Sequence, residues 1–168
     1  MGDLIEDIQS RLVSVSPYEL EDIVADLWNS MGYHAKSTSN SGDRGIDVVA
    51  RAVESEKIEA IQVKRNQKEN RIGSPEIRRY ATLYLQDSDI DEVVLVTTSS
   101  FTDEAIILAH DLDVRLIHGR KLAELIHEHG GSAIRSGEPS LDRSEDNTPR
   151  TVDRIVLSGN VPGSNTVS

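Results

Sequence analysis

The 168 residues include no cysteine, which excludes a disulfide framework, a thiolate nucleophile and a zinc–thiolate site. No stretch approaches the roughly 18 to 20 consecutive apolar residues that a membrane span requires. The opening MGDLIEDIQS carries acids where a secretory signal carries a basic segment. A cytoplasmic protein with no membrane partner is expected. Two catalytic signatures are also missing. No glycine-rich loop runs into Lys-Ser or Lys-Thr, so ATP hydrolysis on a phosphate loop is unsupported. Nothing resembles the elbow that presents a serine nucleophile.

Lysine is scarce, with five against thirteen arginines. Asp and Glu number 29 against 18 Lys and Arg, a formal net charge of −11. An acidic, lysine-poor surface suits concentrated salt, where self-repulsion is screened, so the composition reads as halophile-like. Taken whole, the charge argues against a polyanionic ligand. Its distribution points the other way. Between Arg44 and Arg79 lie nine basic residues and six acidic ones, a net positive window in a negative chain.

What is present is the composition of a soluble globular protein, 37% hydrophobic and 28% charged, with length for one domain and a tail. Leu4, Ile5, Ile8 and Leu12 recur at helical spacing and predict an N-terminal helix within 1–15. Ser16-Pro17 starts a second helix, with Leu20, Ile23, Val24, Leu27, Trp28 and Met31 on one stripe and Gly32 to end it. Tyr33 to Thr38 fits a short strand. IDVVARAV and IEAIQVKR then read as hairpin partners joined by ESEK. Ser74-Pro75 opens a helix expected to reach about Gln86, and DEVVLVTTSS suits the buried middle of a sheet. FTDEAIILAHDL is a helix capped by Thr102, VRLIH a strand, and GRKLAELIHEHG a closing helix. This order predicts an α/β sandwich around a mixed sheet, spanning 16–130. Residues 131–168 are polar and read as a flexible tail, with one apolar island, Ile155-Val156-Leu157.

Asp47 interrupts the apolar run IDVV, and a carboxylate within a strand is costly without compensation. Gly45 just before it permits a bulge or a close backbone approach. In IEAIQVKR, alternation sends Gln62 and Lys64 to the face opposite Ile61 and Val63. The hairpin can set Asp47 opposite Gln62 or Lys64. A carboxylate, an amide oxygen and an ammonium together suit metal-assisted phosphodiester hydrolysis: Mg²⁺ takes oxygen ligands, and Lys64 orients water or stabilises charge on phosphorus. Glu21 on the second helix could complete the set. The bland alternative is a Lys64–Asp47 cross-strand salt bridge with Glu21 as one more solvated charge, and the spacing alone favours it. His127 and His129, two apart on a helix, diverge rather than chelate. His34, His110 and His118 are isolated.

The ordered blocks SPYELEDIVADLWNSMGY, SGDRGIDVVA, AIQVKR, VVLVTTSSFTDEAIILA and LIHGRKLAELI, from about Ser16 to His129, resemble the catalytic domain of Mrr-type restriction endonucleases. These belong to the PD-(D/E)xK nucleases, in the variant where Gln replaces the second acid. The resemblance implies a restriction-endonuclease-like α/β/α sandwich and a metal-dependent DNA endonuclease of restriction or repair type, using Mg²⁺ with Mn²⁺ as a substitute. By the same resemblance Asp47 is a metal-binding aspartate, Gln62 a metal ligand and Lys64 the catalytic lysine. Glu21 is a further metal ligand or its support. Asp43 and Gly45 match the turn before Asp47, and Ser99, Ser100, Phe101 and Thr102 a strand end feeding a helix cap. Longer members carry a recognition domain ahead of this one, whereas fifteen residues precede Ser16 here. A homodimer or a separate recognition subunit would therefore be the partner beside DNA. The alternatives are a nuclease-like module that binds DNA or protein without cutting, and a junction or flap nuclease using the same site.

Overall fold

Ser16 and Glu19 set where the second helix begins. The Ser16 hydroxyl accepts the Glu19 N–H and Glu19 Oε1 accepts the Ser16 N–H, each at 3.1 Å. This reciprocal cap satisfies two donors that a helix start leaves open, and Pro17 takes the first position, where its missing N–H costs nothing. In the computed structural model, which describes residues 2–38 and 46–130, this helix is α2 (Pro17–Ser30), after α1 (Gly2–Ser14). Gly32, at φ +101°, turns the chain out of α2 into the sheet.

Five strands lie side by side in sequence order: β1 (Tyr33–Ser37), β2 (Val48–Ala52), β3 (Ile58–Lys64), β4 (Glu92–Thr97) and β5 (Val114–Ile117). The first three pair antiparallel, while β3–β4 and β4–β5 are parallel, so the sheet is mixed as expected. Parallel neighbours need crossovers. These are α3 (Ser74–Ala81) with α4 (Leu83–Gln86), and then α5 (Asp103–Leu112); α6 (Gly119–His129) follows β5.

Strand alternation divides the apolar side chains into two cores. Ile61, Val63, Val94 and Val96 pack against Ile8 and Leu12 of α1, Leu20 and Trp28 of α2, and Leu122 and Ile126 of α6. Ala60, Val93 and Leu95 face the other way, onto Ile77 and Tyr80 of α3 and Ala105 and Ala109 of α5. With helices on both sides, Val93 through Val96 of β4 are all fully buried, as a central parallel strand requires. The layers form the α/β/α sandwich.

Two boundaries differ from expectation. The helix from Ser74 stops at Thr82, whose hydroxyl donates to the Arg79 carbonyl at 2.7 Å and competes with the main chain there. It resumes as α4. The second strand begins at Val48 rather than Ile46; Asp47, just before it, bonds to β3 through both its N–H and its carboxylate. Asp43, Gly45 and the island Ile155-Val156-Leu157 lie outside the described residues. Among the described residues, no helix is long and apolar enough to cross a membrane.

Candidate active site

The antiparallel β2–β3 pair brings the start of β2 to the end of β3, where Gln62 and Lys64 stand. Asp47 is clamped there by two bonds. Its N–H donates to the Ile61 carbonyl at 2.9 Å, and its Oδ2 accepts the Val63 N–H at 2.8 Å. The carboxylate replaces a main-chain acceptor in the ladder, and the two bonds bracket Gln62. Its orientation is therefore set by backbone.

Glu21 reaches Asp47 from α2, close enough for their carboxyls to share a hydrogen bond. Burial, then the charges of Asp47 and Asp22, push the Glu21 carboxyl up to about 7. Burial also raises Asp47, against the pull of the Val63 N–H and the Lys64 charge. Two carboxyls turned on each other raise each other's cost of ionisation, which a bound cation would offset.

Gln62 supplies a third oxygen. Its side chain is 8% exposed, and its Oε1 is buried without a hydrogen-bond partner. Folding normally pairs such an atom, since leaving it bare costs about 1–3 kcal/mol. Lys64 follows on the same strand face. Its charge reaches Asp47, yet no ion pair closes between them, which removes the simple cross-strand salt bridge. Two carboxylates and an amide carbonyl are hard donors that could hold Mg²⁺ or Mn²⁺. Among the described residues, no three His, Cys, Asp or Glu side chains could hold a metal by themselves, so a third protein oxygen beside Asp47 and Glu21 would have to come from a group such as the Gln62 carbonyl.

The Glu21 shift has a testable sign. Its folded pKa, about 7, lies above the ordinary 4.5, so the folded chain binds that proton more tightly. Stability present below the ordinary value is lost as pH rises through about 7. Without divalent metal, Glu21→Gln should therefore be the more stable protein at pH 8. The gain should be about 1 kcal/mol, since the side chain is partly exposed and solvent screens it. It should shrink toward zero near pH 5. Urea midpoints that differ equally at both pH values would remove the carboxylate contact.

The other sequence candidates have structural roles. Thr102 caps α5 by accepting the Ala105 N–H at 3.1 Å, and the Ser99 hydroxyl donates to the Asn70 carbonyl at 2.8 Å. His118 caps α6 through Nδ1, while His127 and His129 occupy its last turn. Sequence reasoning missed two residues. Tyr80 is 6% exposed on the sheet face of Gln62, and burial raises its pKa, with Arg79 opposing and Asp47 adding. The spacing of Ile77 and Tyr80 signalled a buried ring. Glu59, five residues before Lys64, is 2% exposed. It accepts Trp28 Nε1–H at 2.8 Å and the Tyr33 hydroxyl at 2.9 Å, with Arg115 at 3.6 Å. The sole tryptophan was the available signal, since a buried indole N–H needs an acceptor.

A curated relative, the type IV methyl-directed restriction enzyme EcoKMrr of Escherichia coli K12, is 28% identical over 145 residues. The match covers 82% of this chain and 47% of that enzyme, so the chain spans about half of its relative's length. Two solved structures share the fold. One is a protein of unknown function, AF1548, with TM-score 0.60, 18% identity and coverage of 86% of this chain and 79% of its own. The other is the DNA modification-dependent restriction endonuclease AspBHI, with TM-score 0.57, 20% identity and coverage of 96% and 40%. Residues 12–126 match the restriction endonuclease family of Mrr catalytic domains, and the chain belongs to it.

Proposed function

We propose that this chain is a metal-dependent DNA endonuclease of restriction or repair type, hydrolysing phosphodiester bonds at Asp47, Glu21, Gln62 and Lys64. The observation that carries the reading is the bare, buried Gln62 Oε1 beside two carboxylates that repel each other. That arrangement is unfavourable by itself and is relieved by a divalent cation. The names of EcoKMrr and AspBHI, a methyl-directed and a DNA modification-dependent enzyme, support DNA as the substrate.

Asp47, Glu21 and the Gln62 carbonyl would hold Mg²⁺, or Mn²⁺ in its place. Bound there, the ion supplies positive charge to a phosphoryl oxygen and makes a water more acidic. The chain supplies the rest. Val63 fixes Asp47 by its N–H, so that carboxylate needs no reorganisation during the reaction. Glu21 gives up its proton near neutral pH and completes the negative seat. Lys64, with no carboxylate partner among the described residues, donates hydrogen bonds to the attacking water or to the charge developing on phosphorus. One such site cuts one strand. A second copy of the chain, or a separate recognition subunit, would supply the other cut and the choice of target.

The test is nicking of supercoiled plasmid, methylated and unmethylated, in high potassium chloride with Mg²⁺ or Mn²⁺. The parent should convert plasmid to nicked and linear forms, and chelation should stop it. Asp47→Ala should lower the rate by at least ~100-fold. A folded parent that neither cuts nor binds metal in calorimetry would instead be a non-cutting module of the same fold.

A further inference from the structure

We infer that Thr98, just past the end of β4, is a positioning residue for Lys64, its hydroxyl fixing the main chain from which the Lys64 ammonium projects. This rests on the nuclease reading above and adds to it a residue that acts through Lys64.

Lys64 is the last residue of β3. Toward β2, the last described contact of that strand is the Val63 N–H on Asp47 Oδ2, at 2.8 Å. Beyond Val63 the sheet restrains β3 from the β4 side, and there Thr98 makes three bonds. Its N–H donates to the Lys64 carbonyl at 3.2 Å. Its hydroxyl accepts the Asn66 N–H at 2.8 Å and donates to the Asn66 carbonyl at 2.7 Å. One side chain thus stands in for a further pair of ladder bonds, with its proton and a lone pair both committed. The four-carbon stem of Lys64 can swing, so where the ammonium reaches depends on where that stem begins.

Thr98 is itself held in place. It is fully buried, and a Cβ on Gly119, the first residue of α6, would collide with its carbonyl oxygen. The Gly119 N–H donates to the next carbonyl, that of Ser99, at 2.8 Å. The start of α6 therefore lies directly against this backbone and leaves Thr98 little room to move. Arg65 ties the same stretch to α1, donating from Nη1 to the Val13 carbonyl at 2.9 Å, so the chain stays anchored when the Thr98 hydroxyl is removed. Ser99 offers a contrast. Its hydroxyl is also buried, but it bonds to Thr97, Asn70 and Ser100 rather than to the stretch from Lys64 to Asn66.

Plasmid nicking with Mg²⁺ should be compared for the parent, Thr98→Val, Thr98→Ser and Ser99→Ala, well below their melting transitions. Thr98→Val keeps the branched shape without the hydroxyl, and kcat should fall ~10- to 100-fold with little change in KM. Thr98→Ser restores the hydroxyl and should keep kcat near that of the parent. Mg²⁺ calorimetry should be parent-like throughout, since Asp47 is held by Ile61 and Val63. Ser99→Ala should lower Tm yet leave kcat alone. If Thr98→Val does not fold, Thr98→Cys, whose thiol is a weak donor and acceptor, takes its place with the same expectations. A lowered Tm with parent-like kcat in the Thr98 variant, while the parent nicks, overturns this inference alone. An equal loss of kcat in Ser99→Ala does the same, because it marks a general loosening of the strand end. A folded parent that fails to nick plasmid overturns the nuclease reading and this inference with it.

Discussion

Lys64→Ala should cost DNA cleavage ~10²- to 10³-fold, the range for removing one preorganised donor from a site of developing charge. Folding should hardly notice. Lys64 ends β3, its side chain is partly exposed, and among the described residues it makes no ion pair whose loss would strand a buried acid. Such substitutions stay within about 0.5 kcal/mol. Metal binding should also persist, since an ammonium is no ligand and its removal leaves the oxygens of Asp47, Glu21 and Gln62 in place. Plasmid nicking, thermal melting and Mg²⁺ calorimetry on one preparation separate the three quantities. Cleavage at the parent rate would remove Lys64 from the mechanism. A lost melting transition would return it to the packing of the strand.

Glu59→Ala should be the costliest change to stability. Glu59 is 2% exposed, and Trp28, fully buried, donates its indole N–H to it. Truncation leaves that N–H bare, at about 1–3 kcal/mol, and breaks a second charge-assisted bond from Tyr33. Arg115 adds little, because 44% of its side chain faces water. A total near 3 kcal/mol corresponds to roughly 10 °C in Tm for a domain of this size. Glu59→Gln keeps an acceptor for Trp28 and should lose about 1 kcal/mol. Trp28 is the sole tryptophan, so its fluorescence in urea reports the fold and the local contact together. A Glu59→Ala cost below that of Glu59→Gln would mean that the buried carboxylate is a burden.

Patterns carried by backbone were legible in the sequence. Ser16-Pro17 announced α2, period-two alternation set the faces of β3, and the apolar run at Val93–Val96 announced a strand buried on both sides. Interactions that pair distant side chains were not. Nothing near Asp47 signals that its carboxylate takes the Val63 N–H. Glu21 was legible only as a helical carboxylate that could complete the set, because its meeting with Asp47 depends on how α2 packs on the sheet. Thr82 looked like an ordinary helical residue until its hydroxyl claimed the Arg79 carbonyl. Glu59 was hidden by its own pattern. It shares a strand face with Ile61 and Val63, and a lone acid there resembles a solvated edge until Trp28 is placed above it.

The position of Glu59 has a bearing on how the site is aimed. Side chains on a strand switch faces with every residue, so sliding β3 by one place would exchange both faces at once. Apolar neighbours would tolerate such a slide fairly well, since β3 is buried against a core on each side. Glu59 would not. Moved one place, its carboxylate would enter the layer of Ile77 and Tyr80, and the Trp28 and Tyr33 donors would be abandoned. The Glu59 carboxylate thus acts as an alignment pin at the far end of the strand. It holds β3 in the one frame in which Gln62 and Lys64 emerge on the same side as Tyr80.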